Sequence, residues 1–400
     1  VSIDRSALFQ PHPHTHNPVA LEAQQAHKEP ETPLVRHLKA LIQFRGGPLS
    51  LAEFMSEALT NPQHGYYSQR DVFGATGDFV TSPEICQMMG EMVGIWCVAA
   101  WQQLGCPATL HLVELGPGRG TLMADLLRGT AAFQQFSQAL RVSMVEVSPH
   151  LRGMHGDDPG PDTNSSSSSG SGGVSGVSGW SGVPVSWHRS LEEVAAEGGP
   201  SLYIAHEFLD ALPVHQFQKT ERGWCERLVD CASPDSPLHL RMVLSPGPTP
   251  AARVLLPRRL RQLPQAEASE AAALEVCPQA MALAEGLARR VAQHGGAALI
   301  IDYGQDAPYE ASLQAIRQHQ FVGLLEGPGG ADISNRVDYS ALRATVEESG
   351  AAADCLGPIP QALFLLGLGI EARLEQLLVG ATPQQAEALQ TGYRCVRGGG

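Results

Sequence analysis

Apolar residues recur at helical spacing early in the chain: Leu34, Leu38, Leu41 and Ile42, then Leu51, Ala52, Phe54 and Met55. Ser50 reads as the cap of the second helix, with Glu53 closing a capping box. A third run, residues 83–104, predicts a long helix with an apolar face. The period then changes. Leu110–Leu115 (LHLVEL) reads as a strand, ended by Gly-Pro-Gly-Arg-Gly and followed by a helix over residues 121–128. Residues 140–147 form a second strand, ended by Ser148-Pro149. Strand, glycine turn, helix, strand is a βαβ unit, which implies a parallel sheet. Further strands are expected at 185–188, 202–207 and 297–303, the last (AALIIDY) as a buried run. Helices are expected near 311–320, 339–349 and 361–378.

Two stretches interrupt this rhythm. Residues 156–182 are rich in Ser and Gly, with five consecutive serines, and read as a flexible insert without an assigned role. From 213 to 295 the alternation of strand and helix breaks. Residues 214–218 and 224–229 alternate around 220–223 as a hairpin, and 271–294 return to helix. An insertion of that length between two sheet strands reads as a subdomain. The organisation expected is a disordered tail (1–32), a helical cap (33–109), a first part of an α/β core (110–212), an inserted subdomain (213–295), and the rest of the core with C-terminal helices (296–400).

Composition narrows the class. At 400 residues, 43% apolar and 17% charged, the chain is long enough for several units and buries a core. The 27 basic against 41 acidic residues leave a net charge of −14, which argues against a nucleic-acid binder held by phosphate contacts and suits a basic protein substrate. The eight cysteines form no CxxC pair, so a reducing compartment is expected and a zinc site is not. No apolar run approaches the ~20 residues of a membrane helix, so no membrane insertion is expected. The chain begins at Val1, so a targeting segment upstream cannot be read from it.

Three clusters carry candidate chemistry. The first is Glu114-Leu115-Gly116-Pro117-Gly118-Arg119-Gly120. Glycines let a strand-to-helix turn close sharply and let a ligand lie against bare peptide. A purely structural turn is the plain alternative. The strand before and helix after favour a nucleotide-type ligand. A phosphate loop would need Gly-Lys-Ser/Thr, and a dinucleotide fold would show GxGxxG. GxGxG behind an acid suits S-adenosyl-L-methionine, whose adenosyl group carries no phosphate. Glu146, at the end of the next strand, is placed to bond both ribose hydroxyls. The second cluster is Gly65-Tyr66-Tyr67 with Gly77-Asp78 and Thr81-Ser82-Pro83-Glu84, where Thr81 or Ser82 caps a helix and leaves N–H groups for an anion. The third is Ala205-His206-Glu207-Phe208-Leu209-Asp210. Ligands sit at the carboxyl ends of strands in an open α/β sheet, so Glu207 and Asp210 should face the cofactor's reactive end. Two carboxylates match a guanidinium and could take up its proton; a helix-capping pair is the competing reading.

Together these blocks resemble the MidA-like family of mitochondrial and bacterial class I methyltransferases. GGPLSLAEFMSEALTNPQHGYY, GDFVTSPEICQMMGEMVGIW, LVELGPGRGTLMADLLR, VEVSPHLR, AHEFLDALPVHQFQK and GGAALIIDYG occur in order, followed by PGGADISNRVDYSAL and LGPIPQALFLLGLGIEARLEQLL. The resemblance implies a Rossmann-like, seven-stranded S-adenosylmethionine fold. It implies a protein-arginine methyltransferase of the mitochondrial matrix, giving symmetric dimethylation in the quinone-site core subunit of respiratory complex I and required for complex I assembly. Carried over by position, Glu114, Gly116, Gly118, Gly120, Glu146, Gly77, Thr81 and Ser82 belong to the cofactor site, and Glu207 and Asp210 to catalysis. His206 stands where many members have Asn, and Asp-Ile-Ser-Asn-Arg replaces a commoner Asp-Leu-Thr-Ala-His. The competing reading is a non-catalytic assembly chaperone with a vestigial cofactor site. A homodimer is left open.

Overall fold

The computed structural model describes residues 29–69, 86–148, 174–176, 182–195 and 198–398. Residues 1–28 of the expected tail, most of the Ser/Gly insert, and Gly77, Thr81 and Ser82 lie outside the described residues, while Thr32, within the expected tail, caps the first helix.

The strands in chain order are β1 (Leu49–Ser50), β2 (Leu110–Leu115), β3 (Leu140–Val145), β4 (Val174–Gly176), β5 (Val185–His188), β6 (Ser201–His206), β7 (His215–Thr220), β8 (Gly223–Cys231), β9 (Leu240–Leu244), β10 (Ala273–Val276), β11 (Gly296–Ile301), β12 (Gly304–Gln305), β13 (Gln314–Arg317), β14 (Gln320–Val322), β15 (Asp332–Ser334) and β16 (Val337–Asp338). The central sheet runs β11-β6-β2-β3-β5-β4, parallel except for the antiparallel edge strand β4. The chain goes one way from β2 to β3 and β5, then returns to the other side of β2 with β6. That reversal opens a crevice at the carboxyl ends, where α/β folds bind ligands.

Both faces of the sheet are covered. On one, Leu110, Leu112, Leu140, Val142, Met144, Leu202 and Ile204 meet the helices Gln87–Gln103 and Thr121–Thr130. These two helices approach closely because glycines line the seam. A Cβ on Gly90 would stand 2.7 Å from Asp125 Cβ, and one on Gly94 2.8 Å from Thr130 Cγ2. Buried Glu91 lies in the same seam and binds Arg128 Nη1 at 2.8 Å and Arg373 Nε at 2.7 Å. It thereby ties the helix Ile370–Leu378 to the core, and removing either arginine would leave a buried carboxylate short of a partner. On the other face Val113, Leu115, Val145, Tyr203 and Ala205 meet the helices Pro278–His294 and Tyr339–Glu348.

A second sheet, β1-β8-β7-β10 with β9 beside β8, is antiparallel and contains the expected hairpin as β7 and β8. β1 comes from the N-terminal helical region, whose Ser50–Glu53 capping box is formed. Leu38, Phe54 and Met55 share one core with Val214, Val229 and Ile333.

Several expectations are corrected. The central sheet has six strands among the described residues, not seven. β11 is half-exposed rather than buried, because it borders only β6. Val174–Gly176, inside the expected flexible insert, pairs with β5, since edge pairing needs only backbone. Residues 311–320 form no helix. β13 and β14 make a hairpin around Gln318 and His319, both left-handed (φ 49° and 61°), a turn that the sequence does not mark with glycine. Within 271–294, β10 precedes the helix, which begins at Pro278. The described part of the long helix begins at Gln87 with Cys86 as its cap, and the helix over 361–378 divides at Leu368-Gly369, where Gly369 is left-handed. No helix among the described residues is long and apolar enough to cross a membrane.

Candidate active site

Register places the candidates on one ledge. Leu115 pairs with Val145 on one side and with Ala205 on the other, and His206 pairs with Ile301. The next residue after each strand is therefore Gly116 after β2, Glu146 after β3, Glu207 after β6 and Asp302 after β11. Four neighbouring parallel strands thus deliver a glycine turn and three carboxylates along one edge of the sheet.

The glycine turn is built from left-handed backbone. Gly116, Gly118 and Gly120 have φ of 65°, 53° and 70°, conformations that side chains strain. Gly116 N–H donates to Val145 O at 2.9 Å, and Gly120 N–H closes the turn on Pro117 O at 2.7 Å. Gly120 is also the cap of helix Thr121–Thr130, with no side-chain cap. Gly116 has a second reason to be glycine: a Cβ there would lie 2.5 Å from Cδ2 of Phe208. Under the turn, Glu114 is 3% exposed, and its Oε2 has no hydrogen-bond partner. Burial, helped by the nearby charge of Glu146, pushes its carboxyl up to about 8. Glu146 is buried too, and its Oε1 accepts the Ser148 N–H at 2.8 Å, which fixes the carboxylate at the strand end.

The acidic side of the ledge is more crowded. Glu207 has φ 47°, unusual for a residue with a side chain, and its N–H donates to Ile301 O at 2.9 Å. Asp302 Oδ2 accepts the N–H groups of Phe208, Leu209 and Asp210 at 3.2, 2.8 and 3.2 Å. Asp332 Oδ1 accepts the Tyr67 hydroxyl at 2.8 Å, and Tyr67 O accepts the Ser148 hydroxyl at 3.0 Å. Tyr67 therefore joins the end of β3 to the acids. Burial first, then the charges of Asp302, Asp332 and Glu207, hold Asp210 well above the usual carboxylate range. Burial and the charge of Glu207 push Asp302 up to about 7, against the N–H groups it accepts. His206 is neutral at ordinary pH, since burial brings it down to about 4. Its 3.7 Å approach to Glu207 is then not an ion pair.

The structure brings together Glu114, Gly116, Gly118, Gly120, Glu146, Glu207 and Asp210. It brings Tyr67 of the second cluster to the same ledge and adds Asp302, Asp332 and Asn335. Asn335 Nδ2 donates to Asp210 O at 2.7 Å and to Leu212 O at 2.9 Å, bracing the acidic turn from below. Asp302 carried a signal that could have been used: it follows a strand as Glu207 does. Asp332 and Asn335 lie in the Asp-Ile-Ser-Asn-Arg stretch noted in the sequence, but nothing there tied it to these acids, because only the tertiary fold returns β15 to this place. Among the described residues no group of three or more His, Cys, Asp or Glu could hold a metal ion.

The donor set fits S-adenosylmethionine. An orphaned buried carboxyl oxygen suits its ammonium, a glycine turn leaves room for the adenosyl group, and an acid at the adjacent strand end suits ribose hydroxyls.

Comparison with known proteins agrees. A family model described as S-adenosyl-L-methionine-dependent methyltransferase matches residues 92–359. The chain is 42% identical over 355 residues to the zebrafish (Danio rerio) protein arginine methyltransferase NDUFAF7, mitochondrial, covering 88% of this chain and 80% of that one. It is 40% identical over 377 residues to the human (Homo sapiens) protein of the same name, covering 92% and 80%. Among solved structures, a Burkholderia thailandensis protein bound to S-adenosyl-homocysteine superposes with a TM-score of 0.69 at 24% identity, covering 92% of this chain and 90% of that one, a likeness of fold. A strand-end ledge of this form, matched over two thirds of the chain by the family model, places the protein in the family of S-adenosyl-L-methionine-dependent methyltransferases.

Proposed function

We propose that the chain is a protein-arginine methyltransferase of the mitochondrial matrix that symmetrically dimethylates an arginine in the quinone-site core subunit of respiratory complex I, as a step in its assembly. The naming of its relatives as mitochondrial protein arginine methyltransferases supports the substrate class and the compartment. The observation that carries the reading is the acidic cluster beside the glycine turn, where Asp302 holds the segment of Glu207 and Asp210 and where burial, then the charges of Asp302, Asp332 and Glu207, raise Asp210. Carboxylates that repel one another in this way are relieved by a cation, and a guanidinium is a planar cation with five donors.

In this reading Gly116, Gly118 and Gly120 cradle the cofactor, Glu114 meets its ammonium and Glu146 its ribose. Gly77, Thr81 and Ser82 complete the same site from outside the described residues. The bound cofactor supplies an electrophilic methyl group on a sulfonium. Glu207 and Asp210 hold the guanidinium so that one nitrogen faces that methyl group. A guanidinium is protonated at any ordinary pH and is a poor nucleophile, so it must shed a proton as the new bond forms. Asp210, returned to carboxylate by the entering cation, is the acceptor, and Glu207 keeps the remaining charge on the far nitrogens. The second sheet and residues 213–295 form the face against which the polypeptide substrate lies.

The test is transfer of labelled methyl groups to the isolated complex I subunit, with the modified residue and the isomer of dimethylarginine read by mass spectrometry. Symmetric dimethylarginine on that subunit is the expected product. Cofactor binding without arginine methylation would overturn the assignment.

A further inference from the structure

The segment carrying Glu207 and Asp210 does not hold its shape by itself. Glu207 sits in the left-handed region, which strains a residue with a Cβ, and residues 208–210 turn three successive N–H groups the same way. Such a run of N–H groups makes a nest for an anion. Here the anion is Oδ2 of Asp302, one residue beyond β11, while its Oδ1 accepts the Tyr303 N–H at 2.8 Å. Hydrogen bonds to a charged acceptor are about twice as strong as neutral ones, so a single carboxylate clamps the whole segment. Phe208, between the two acids in sequence, rests its ring against Gly116.

Asp302 stands as a third acid beside two others, a costly choice if only an acceptor were needed. We propose that Asp302 is a positioning residue for methyl transfer. Through the N–H groups of Phe208, Leu209 and Asp210 it fixes where Glu207 and Asp210 present their carboxylates to the substrate nitrogen. The inference rests on the reading of those two acids as catalytic.

The experiment compares Asp302→Asn with the parent in the full chain. Hydrogen exchange of the peptide spanning 207–212 reads the clamp, calorimetry with S-adenosylmethionine reads the cofactor site, and methylation kinetics read the acids. The expected result is faster exchange at 208–210, parent-like cofactor affinity and KM, and a kcat lower on the order of 10²-fold, as a small misplacement of reacting groups can cost. The acid limb of the kcat profile should also move to lower pH. Asp210 faces Glu207, Asp302 and Asp332, with the phenols of Tyr67, Tyr303 and Tyr339 beside the same acids. Removing one negative neighbour lowers the pH at which Asp210 titrates. A purely structural contact would lower the melting temperature without separating kcat from KM. If the asparagine variant does not fold, Asp302→Glu keeps the charge on a longer arm and should show the same loosened exchange with part of the kcat loss. Parent-like exchange at 208–210, or parent-like kcat with loosened exchange, would overturn the proposal. A parent enzyme that binds cofactor but methylates no arginine would instead overturn the reading of the two acids, and the exchange comparison would still decide whether Asp302 clamps the segment.

Discussion

The two ends of the ledge are built on different principles. The glycine end is made of backbone from one short stretch, 114–120, with Glu146 fixed by its own neighbour Ser148. Its Glu114 carboxyl is strongly shifted, and its geometry is local. The acidic end draws on residues 67, 207–210, 302, 332 and 335, and its members raise one another's affinity for protons. One end is a fixed cradle for a part common to every turnover. The other stores electrostatic conflict that a cationic substrate relieves. Damage at the first should therefore abolish cofactor binding, and damage at the second should spare it.

The largest effect should come from the cradle. Gly118→Val forces a β-branched residue to φ 53° and fills space that the proposed reading gives to the cofactor. Calorimetry should show the affinity for S-adenosylmethionine lost by ~10²-fold or more, with far-UV circular dichroism unchanged. Parent-like affinity would remove the glycine turn from the site.

Next come Glu207→Gln and Asp210→Asn. Losing one preorganised electrostatic group typically costs ~10²-fold or more in rate. Each variant should bind the cofactor as the parent does and lose most methylation of the complex I subunit. If both methylate at the parent rate, the acids only shape the turn. If both lose cofactor affinity, the two ends are a single site.

A smaller loss is expected from Asn335→Ala. It leaves the backbone N–H of Asn335 on Asp210 O but strips the side-chain donor from Leu212 O. The half-buried Leu212 O keeps only the weak Cys277 Sγ–H donor at 3.7 Å, so the loss costs about 1 kcal/mol. Thermal unfolding should show that loss, and activity should fall further than cofactor affinity, because the brace lies under the acids and not under the glycines.

The same contrast explains what the sequence disclosed. Gly116, Gly118, Gly120 and Glu146 were legible because each acts within a few residues of its own strand end, and the strands themselves followed from period and turn chemistry. Glu207 and Asp210 were legible as an acid pair after a strand. Their electrostatic meaning was not, since it depends on Asp302, 92 residues beyond Asp210, and on Asp332, which opens β15. β15 pairs with β13, in a stretch where the sequence pattern suggested a helix. The hairpin there turns on Gln318 and His319, which adopt left-handed backbone without the glycine or asparagine that would have announced it. β10 was missed for a related reason: Ala273-Leu-Glu-Val276 has good helix formers, and only pairing with β7 makes it a strand.

The last and smallest effect concerns Glu114, and it separates the two ends by proton count. Its carboxyl titrates at about 8 in the folded chain because burial and Glu146 disfavour the charge, whereas an exposed glutamate titrates near 4.5. With the folded value the higher one, its contribution to stability is complete below about pH 4.5 and is lost as pH rises through about 8. Glu114→Gln, neutral and of the same shape, should flatten the fall in melting temperature over that window by a few degrees at its alkaline end. The same proton should report on binding. If the cofactor's ammonium pairs with Glu114, the carboxyl ionises as the complex forms, and near pH 7 up to one proton per chain passes to the buffer. Calorimetric heats measured in two buffers of different ionisation enthalpy give that number directly, and Glu114→Gln should bring it close to zero while Asp210→Asn leaves it unchanged. A proton release that survives in Glu114→Gln would place the ammonium against another acid and move the cofactor's amino-acid end away from β2.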